Sequence, residues 1–194
     1  MKTQPTREKL LDITFEEIYI HGYTATSVDT ILKKAGIPKG SMYHHFKGKK
    51  ELVLTMVKER LFPKMELFFD FKRKEGASVT EVIRSTFAGM AKNKPLITYG
   101  CPLYRLMVEL SPVDKTFDVL LSARVVLMQE NLGLLLQKGM ESGEFKETLP
   151  AKDFANYILE STWGVLSLSP SLSSSKHFVR HSKFIFDTLA TYTN

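Results

Sequence analysis

The spacing of apolar residues along this chain of 194 residues constrains its fold more than any other feature. Apolar side chains recur at intervals of three and four residues almost everywhere, whereas the alternation typical of strands is scarce. This spacing predicts an all-α fold of about nine helices. We expect an N-terminal three-helix helix-turn-helix domain in residues 1–50 and a second helical domain in residues 51–194.

Glycines and cap residues predict where the first helices begin and end. Gly22 should end the first helix, Thr26 or Ser27 should cap the second, and Gly36 should end it. Because Pro38 has no N–H to leave unpaired, it suits the beginning of a short third helix. The helices predicted in this region are Thr6–His21, Val28–Ala35, Lys39–Phe46 and a fourth that begins near Lys49.

Four further signals predict the remaining boundaries. Pro63 should bend or end the fourth helix, because proline removes a helical hydrogen bond. Residues 92–100, which contain a proline and a glycine, read as a break, and Ser111 reads as the cap of a long helix. The serine-rich residues 167–175 should separate the last two helices.

Composition indicates an ordinary globular protein, with 43% hydrophobic and 25% charged residues. No uninterrupted apolar run approaches the roughly 18–20 residues that span a bilayer, and the polar N-terminus does not resemble a signal peptide. The single cysteine, Cys101, precludes an intramolecular disulfide. We therefore expect a cytoplasmic location, with no membrane partner.

Positive charge is concentrated near the N-terminus. No acidic residue lies between Asp29 and Glu51, while six lysines and two histidines fall in that window. Such a segment creates a local positive field that attracts an anionic polymer, although a solvated lysine-rich helix face would have the same composition. The lysines are Lys33, Lys34, Lys39, Lys47, Lys49 and Lys50.

Two short helices joined by a glycine-containing turn form the helix-turn-helix pattern, whose second helix fits the DNA major groove. Residues near the N-terminus of that helix reach base edges, and helix N-termini suit phosphates. The pattern thus predicts a contact with double-stranded DNA. The candidate contacts are Thr26, Ser27, Lys39, Gly40, Ser41, Tyr43, His44 and Lys49.

The segment GYTATSVDTILKKAGIPKGSMYHHFKGKKEL, residues 22–52, resembles the DNA-binding signature of the TetR/AcrR family of transcriptional regulators. The resemblance implies a homodimer that binds a palindromic operator and a C-terminal domain that dimerises and binds a small-molecule inducer. We expect a repressor, and activation through the same parts is the alternative. Asp29 departs from the pattern, because some relatives carry a basic DNA contact there. We therefore do not assign Asp29 to DNA.

The last two helices are rich in apolar and aromatic residues, which the resemblance assigns to the dimer interface. Burial within one monomer is the alternative for residues such as Trp163 and Phe184. The middle helices mix methionines and aromatics with isolated polar residues, a composition suited to a ligand pocket and equally to a core. The candidate pocket residues are Met90, Cys101, Tyr104, Arg105, Met128 and Trp163.

Cys101 suggests a second kind of sensing. The segment Gly100-Cys101-Pro102-Leu103 resembles the Gly-Cys-Leu segment of electrophile-responsive repressors in the same family. A thiol at the start of a helix can have a lowered pKa, because the helix dipole favours the thiolate. The alternative is an inert buried cysteine.

Two other functional classes have less support in the sequence. An enzyme would need a nucleophile–base pair, a metal cluster or a phosphate-binding loop, and none of these motifs is present. We therefore predict neither a catalytic residue, nor a metal, nor a cofactor. His177 and His181 have the spacing of a metal-binding pair but lack a clear third ligand. A ligand-independent DNA-binding protein is the other alternative.

Overall fold

The computed structural model describes residues 5–69, 76–172 and 174–194. These residues form helices joined by short turns, and the β-pairing among them is one isolated bridge between Phe145 and Thr193. The all-α prediction is confirmed. The helices are α1 (Thr6–His21), α2 (Val28–Ala35), α3 (Lys39–Tyr43), α4 (Lys49–Met56), α5 (Phe62–Phe69), α6 (Val79–Lys92), α7 (Lys94–Tyr99), α8 (Pro102–Leu110), α9 (Lys115–Glu141), α10 (Ala151–Leu172) and α11 (Ser175–Ala190).

Helices α1 to α4 pack around one apolar centre, to which each helix contributes buried side chains. The Ser27 hydroxyl caps α2 by accepting a hydrogen bond from the amide of Thr30. Gly36 then ends α2 in the left-handed conformation at φ 63°, which glycine adopts without steric cost. The fully buried members of this centre include Leu10, Leu11, Ile31, Met42 and Leu52.

Pro63 does not end the helical path. A π-helical turn, Val57–Leu61, joins α4 to α5, and Pro63 is the second residue of α5. The carbonyl oxygen of Glu59, four residues before the proline, accepts a hydrogen bond from Arg60 Nη1 at 3.1 Å. A π-turn re-satisfies part of the backbone pairing that proline interrupts, which explains why the path continues.

Two predicted boundaries differ in the structure because polar side chains cap helices at other positions. Residues 94–99, predicted as part of a break, form α7, since Asn93 Oδ1 accepts from the amide of Leu96 at 2.9 Å. The cap of α9 is Asp114, whose carboxylate accepts from the amide of Thr116, and not Ser111.

The serine-rich segment is also partly helical. Helix α10 continues through it to Leu172, and Pro170 lies inside the helix. Residue 173 lies outside the described residues, and α11 begins at Ser175. Serines within α10 donate to carbonyl oxygens one turn earlier, as Ser169 does to Val165 and Ser167 to Gly164. Local bonds of this kind let serine remain in a helix.

The larger apolar core lies among α6 to α11. Helices α9 and α10 pack along each other, α10 also contacts α7 and α11, and α11 packs on α6. Aromatic side chains fill the centre, with Phe87 and Phe178 stacked at 5.8 Å between ring centroids. Phe117 and Phe145 are also fully enclosed.

Helix α9 has the length and hydropathy of a membrane span. Its mean hydropathy reaches 1.5 over 18 residues, and among the described helices it alone meets both criteria. Arg124 and Glu130 interrupt the apolar residues of α9, so this helix contains no uninterrupted apolar run long enough to span a bilayer. A core helix meets the same criteria, and α9 packs against α6, α8 and α10.

A substitution at Gly139 in α9 would test the packing of this core. A Cβ atom at Gly139 would lie 2.5 Å from the enclosed Phe145 ring. We expect Gly139→Ala to lower the free energy of unfolding by about 1–3 kcal/mol, since overpacking outweighs the gain in helix propensity. The exposed Gly89 in α6 has no atom within 4 Å of such a Cβ. Gly89→Ala should therefore be neutral or stabilising in the same denaturant titrations, and equal losses for both variants would contradict this account.

Candidate nucleic-acid interface and adjoining pocket

Helix α3 is anchored on one side and open on the other. Met42 in α3 and Phe46 just after it are buried at 0% and 3% exposure. Tyr43, in contrast, is 51% exposed. The sequence predicted that this helix ends at Phe46, whereas in the structure it ends at Tyr43. All five candidate contacts on or beside this helix are exposed or half-exposed, namely Lys39, Gly40, Ser41, Tyr43 and His44.

The two candidate contacts before α2 differ in exposure. Ser27 is exposed. Thr26 is 2% exposed, and its hydroxyl donates to the carbonyl oxygen of Gly22 at 2.7 Å. The Thr26 hydroxyl therefore faces the end of α1 and is shielded by it, and a DNA contact at Thr26 stays a prediction.

Lys49 is also engaged within the chain. Its Nζ donates to the carbonyl oxygen of Tyr23 at 2.6 Å and lies 4.1 Å from the centroid of the Tyr23 ring. Burial lowers the pKa of this amine, and the Glu109 carboxylate opposes that effect. The Lys49 ammonium thus has partners within the chain, while the half-buried residue begins α4, and the phosphate contact expected there stays a prediction.

Acidic residues from outside the lysine-rich segment neutralise much of its charge. Three of its six lysines form ion pairs, so the segment is less positive in the fold than its sequence alone indicates. Lys33 and Lys47 are exposed and have no ion pair within the described part of the chain. The pairs are Lys34–Glu17 at 2.5 Å, Lys39–Asp29 at 3.3 Å and Lys50–Asp114 at 2.7 Å.

A carboxylate from α8 holds the turn between α1 and α2. Glu109 accepts from the amides of Tyr23 and Thr24 at 2.9 and 2.7 Å. Burial alone would raise the pKa of Glu109, but these amide bonds and the charge of Lys49 lower it overall. Glu109 could not be identified from the sequence, since its partners lie more than 80 residues away and no local motif marks it.

Arg105, one turn before Glu109 on α8, holds the end of α1. Its Nη1 donates to the carbonyl oxygens of Tyr19 and Tyr99 at 2.8 and 3.0 Å. The Tyr19 hydroxyl in turn donates to the carbonyl oxygen of Gly100 at 2.8 Å. Burial raises the pKa of Tyr19, so the phenol remains a proton donor at neutral pH.

A pocket of about 310 Å³ opens between α8 and the C-terminal half of α10. Of the six predicted ligand-binding residues, Cys101, Tyr104 and Arg105 line it. Trp163 stacks on Tyr104 with ring centroids 6.0 Å apart, while Met90 and Met128 are buried and are not among its lining residues. The remaining lining residues are Tyr99, Gly100, Val108, Glu109, Leu166, Ser167 and Pro170.

The predicted lowering of the Cys101 pKa is wrong. Burial raises the pKa of this thiol to about 11, and the amides of Tyr104 and Leu103 at the start of α8 reduce that rise only in part. The side chain is 1% exposed. Desolvation of the thiolate outweighs the helix-end effect, which favours an inert cysteine.

Most of the apolar residues predicted for the dimer interface are buried within one chain. Trp163 and Ile185 are examples, at 4% and 0% exposure. Other apolar side chains on α10 and α11 remain at the surface. The exposed ones are Tyr157 at 36%, Leu168 at 56%, Leu172 at 41%, Val179 at 52% and Phe184 at 63%.

Residues 10–56 match the model of bacterial regulatory proteins of the tetR family. An uncharacterised HTH-type transcriptional regulator from the lacX 3' region of Lactococcus lactis is 33% identical over 147 residues, which cover 70% of this chain and 74% of the relative. The chain belongs to the TetR family. It is a helix-turn-helix transcriptional regulator, and the family prediction is confirmed.

Other comparisons agree with this family and fold. The HTH-type transcriptional repressor DhaR of Mycobacterium sp. strain GP1 is 26% identical over 86% of this chain and 83% of its own. A TetR-family regulator from Cytophaga hutchinsonii superposes with a TM-score of 0.86 at 16% identity, covering 97% and 94% of the two chains. One from Chloroflexus aurantiacus gives 0.86 at 21% identity, covering 97% and 96%.

The Cys101 thiol should react slowly in the folded protein. With its pKa raised to about 11, the thiolate fraction at pH 8 is roughly a hundredfold smaller than for a thiol at the ordinary value of 9.0. We expect alkylation by iodoacetamide, followed by mass spectrometry, to be at least that much slower in buffer than in guanidinium chloride. Comparable rates in the two solvents would show that the thiol is accessible and ionised.

Proposed function

We propose that this TetR-family regulator is a homodimeric repressor in the cytoplasm, that it binds a palindromic operator and that a small-molecule inducer releases it. The observation that carries the proposal is the geometry of α3, which is fixed by buried Met42 and Phe46 and presents its other side to solvent. A helix held in this way can enter a major groove with its leading end forward.

The proposed DNA contacts follow from exposure. Lys39, Gly40 and Ser41 begin α3, where a recognition helix meets base edges, and Tyr43 and His44 follow on its open side. Ser27 at the start of α2 is placed for a phosphate. To these we add Lys47, an exposed cation in the turn before α4. We retain residues 1–50 as the DNA-binding unit and 51–194 as the ligand-binding and dimerisation unit.

A dimer follows from the geometry of a palindrome, because two recognition helices must reach major grooves about 34 Å apart. We assign the interface to the exposed apolar side chains of α10 and α11 described above. Gly164, exposed on α10 with no atom within 4 Å of a built Cβ, leaves room there for a close helix approach. An isologous contact of two such helix pairs would form a four-helix interface.

Repression and release would use the same parts. The ligand-free dimer holds both copies of α3 at the spacing of the operator, and an inducer bound in the C-terminal unit favours another arrangement. A coupling of about 1–3 kcal/mol changes operator affinity roughly 5- to 150-fold. Relatives such as DhaR are named repressors, which supports repression as the direction of regulation.

Lys39 provides a test of the DNA interface. We expect Lys39→Ala to weaken binding to the DNA upstream of the protein's own gene, because one phosphate or base contact is lost. The slope of log affinity against log salt concentration should also decrease in magnitude by about 1. Fluorescence anisotropy at several salt concentrations measures both. Lys152→Ala, which removes an exposed lysine at the start of α10, is the matched control. If Lys39→Ala retains the wild-type affinity and slope, α3 is not the DNA-binding element.

The dimer interface is tested by placing charge on it. Leu168→Glu combined with Phe184→Glu should convert the dimer to a monomer in size-exclusion chromatography with light scattering, because four carboxylates would face one another across the interface. Leu134→Glu alters an apolar side chain on α9 that is 57% exposed. This control should remain dimeric, and a monomeric Leu134→Glu beside an intact double variant would move the interface to α9.

A further inference from the structure

We propose that the pocket between α8 and α10 binds a small planar organic anion, an aromatic carboxylate in the simplest case, and that its carboxylate takes the Arg105 guanidinium from the carbonyl oxygen of Tyr19. This inference rests on the proposed regulatory function and names both the effector class and the route of its signal. The route runs through α8 to the turn between α1 and α2.

The shape of the pocket suits one aromatic ring. Its volume of about 310 Å³ lies at the lower end of the range for small-molecule sites. Tyr104 contributes an aromatic ring, and Trp163 stacks behind it at an interplanar angle of 23°. Val108, Leu166 and Pro170 add apolar walls. A planar ring could therefore lie against Tyr104, since offset aromatic stacking stabilises such contacts by about 0.5–1.5 kcal/mol beyond area burial.

The two charged side chains of the pocket determine the sign of the ligand. Both carboxylate oxygens of Glu109 accept hydrogen bonds from backbone amides, so this carboxylate has little capacity left to bind a cation. Arg105 uses only Nη1, and its Nε and Nη2 donors have no partner among the described residues. Arg105 also has no carboxylate partner in the described part of the chain. A guanidinium edge with free donors matches a carboxylate in the bidentate geometry that arginine favours.

The same guanidinium connects the pocket to the DNA-binding unit. Arg105 Nη1 holds the last turn of α1 through Tyr19, and Glu109 holds the following residues Tyr23 and Thr24. That turn leads directly to Ser27, the cap of α2. A carboxylate that binds Nε and Nη2 and draws the guanidinium into the pocket also moves Nη1 away from the carbonyl oxygen of Tyr19, so α1 loses a donor. The position of α2 and α3 relative to α8 then changes.

The test uses Trp163, the single tryptophan of the chain, as a reporter behind Tyr104. Benzoate is titrated into the full-length protein and compared with neutral benzamide, which has the same ring and no charge. We expect a saturable change in tryptophan fluorescence with benzoate and at least tenfold weaker binding of benzamide. Isothermal titration calorimetry provides the same two affinities without the reporter.

Variants separate the roles of charge and space. Arg105→Gln should weaken benzoate binding at least tenfold, whereas Arg84→Gln, which removes an exposed arginine on α6, should not. Because Arg105→Gln also loses bonds to α1, Val108→Phe provides a second variant that narrows the pocket and leaves Arg105 in place. It should likewise weaken benzoate binding. Circular dichroism confirms that each variant is folded.

The operator measurement completes the test. Benzoate should lower operator affinity of the wild type by a factor between about 5 and 150, and of Arg105→Gln by less than twofold. Equal responses to benzoate and benzamide, or benzoate binding unaffected by Arg105→Gln, would overturn the inference. If the operator is bound but benzoate is not, the ligand class is wrong and the regulator remains. If benzoate binds through Arg105 but no operator is bound, the proposed function fails and the anion site remains.

Discussion

The hydrogen bonds that the Glu109 carboxylate accepts from the turn between α1 and α2 determine how the DNA-binding helices are oriented. Both amides of the turn donate to one carboxylate on α8, at 2.9 and 2.7 Å. Gly22 makes this close approach possible. It adopts φ 86°, and a built Cβ would lie 3.1 Å from Glu109 Oε2. Since α2 and α3 follow from this turn, their placement on the rest of the molecule depends on a contact more than 80 residues away in sequence.

The N-terminal helices could be predicted from the sequence because their determinants are local. The Ser27 cap, Gly36 and Pro38 each act within four residues of the helix end that they define. The spacing of Met42 and Phe46 likewise identifies the buried side of α3. Local signals failed where a competing local bond existed. Asn93 caps α7 and Asp114 caps α9, although proline and serine suggested other boundaries.

The functional surface was less predictable, because exposure and pairing depend on residues distant in sequence. The lysine-rich segment is free of acids only along the chain, and Glu17 and Asp114 reach it through the fold. Lys49 donates to the carbonyl oxygen of Tyr23, just after α1, because α4 packs against α1. Cys101 shows the same limit. Its place at a helix start is visible in the sequence, whereas the burial that raises its pKa is not.

The contacts that fix the turn are suited to a switch because most of them are polar. A hydrogen bond contributes about 0.5–1.5 kcal/mol net, while a coupling of about 1–3 kcal/mol is enough for regulation. Exchanging one or two such bonds therefore supplies the required energy. The proposed exchange would leave the buried apolar side chains of α3 in place, so its leading end would keep its shape while its position changes. The fold thus separates α3, the helix proposed to contact DNA, from the polar contacts that position it.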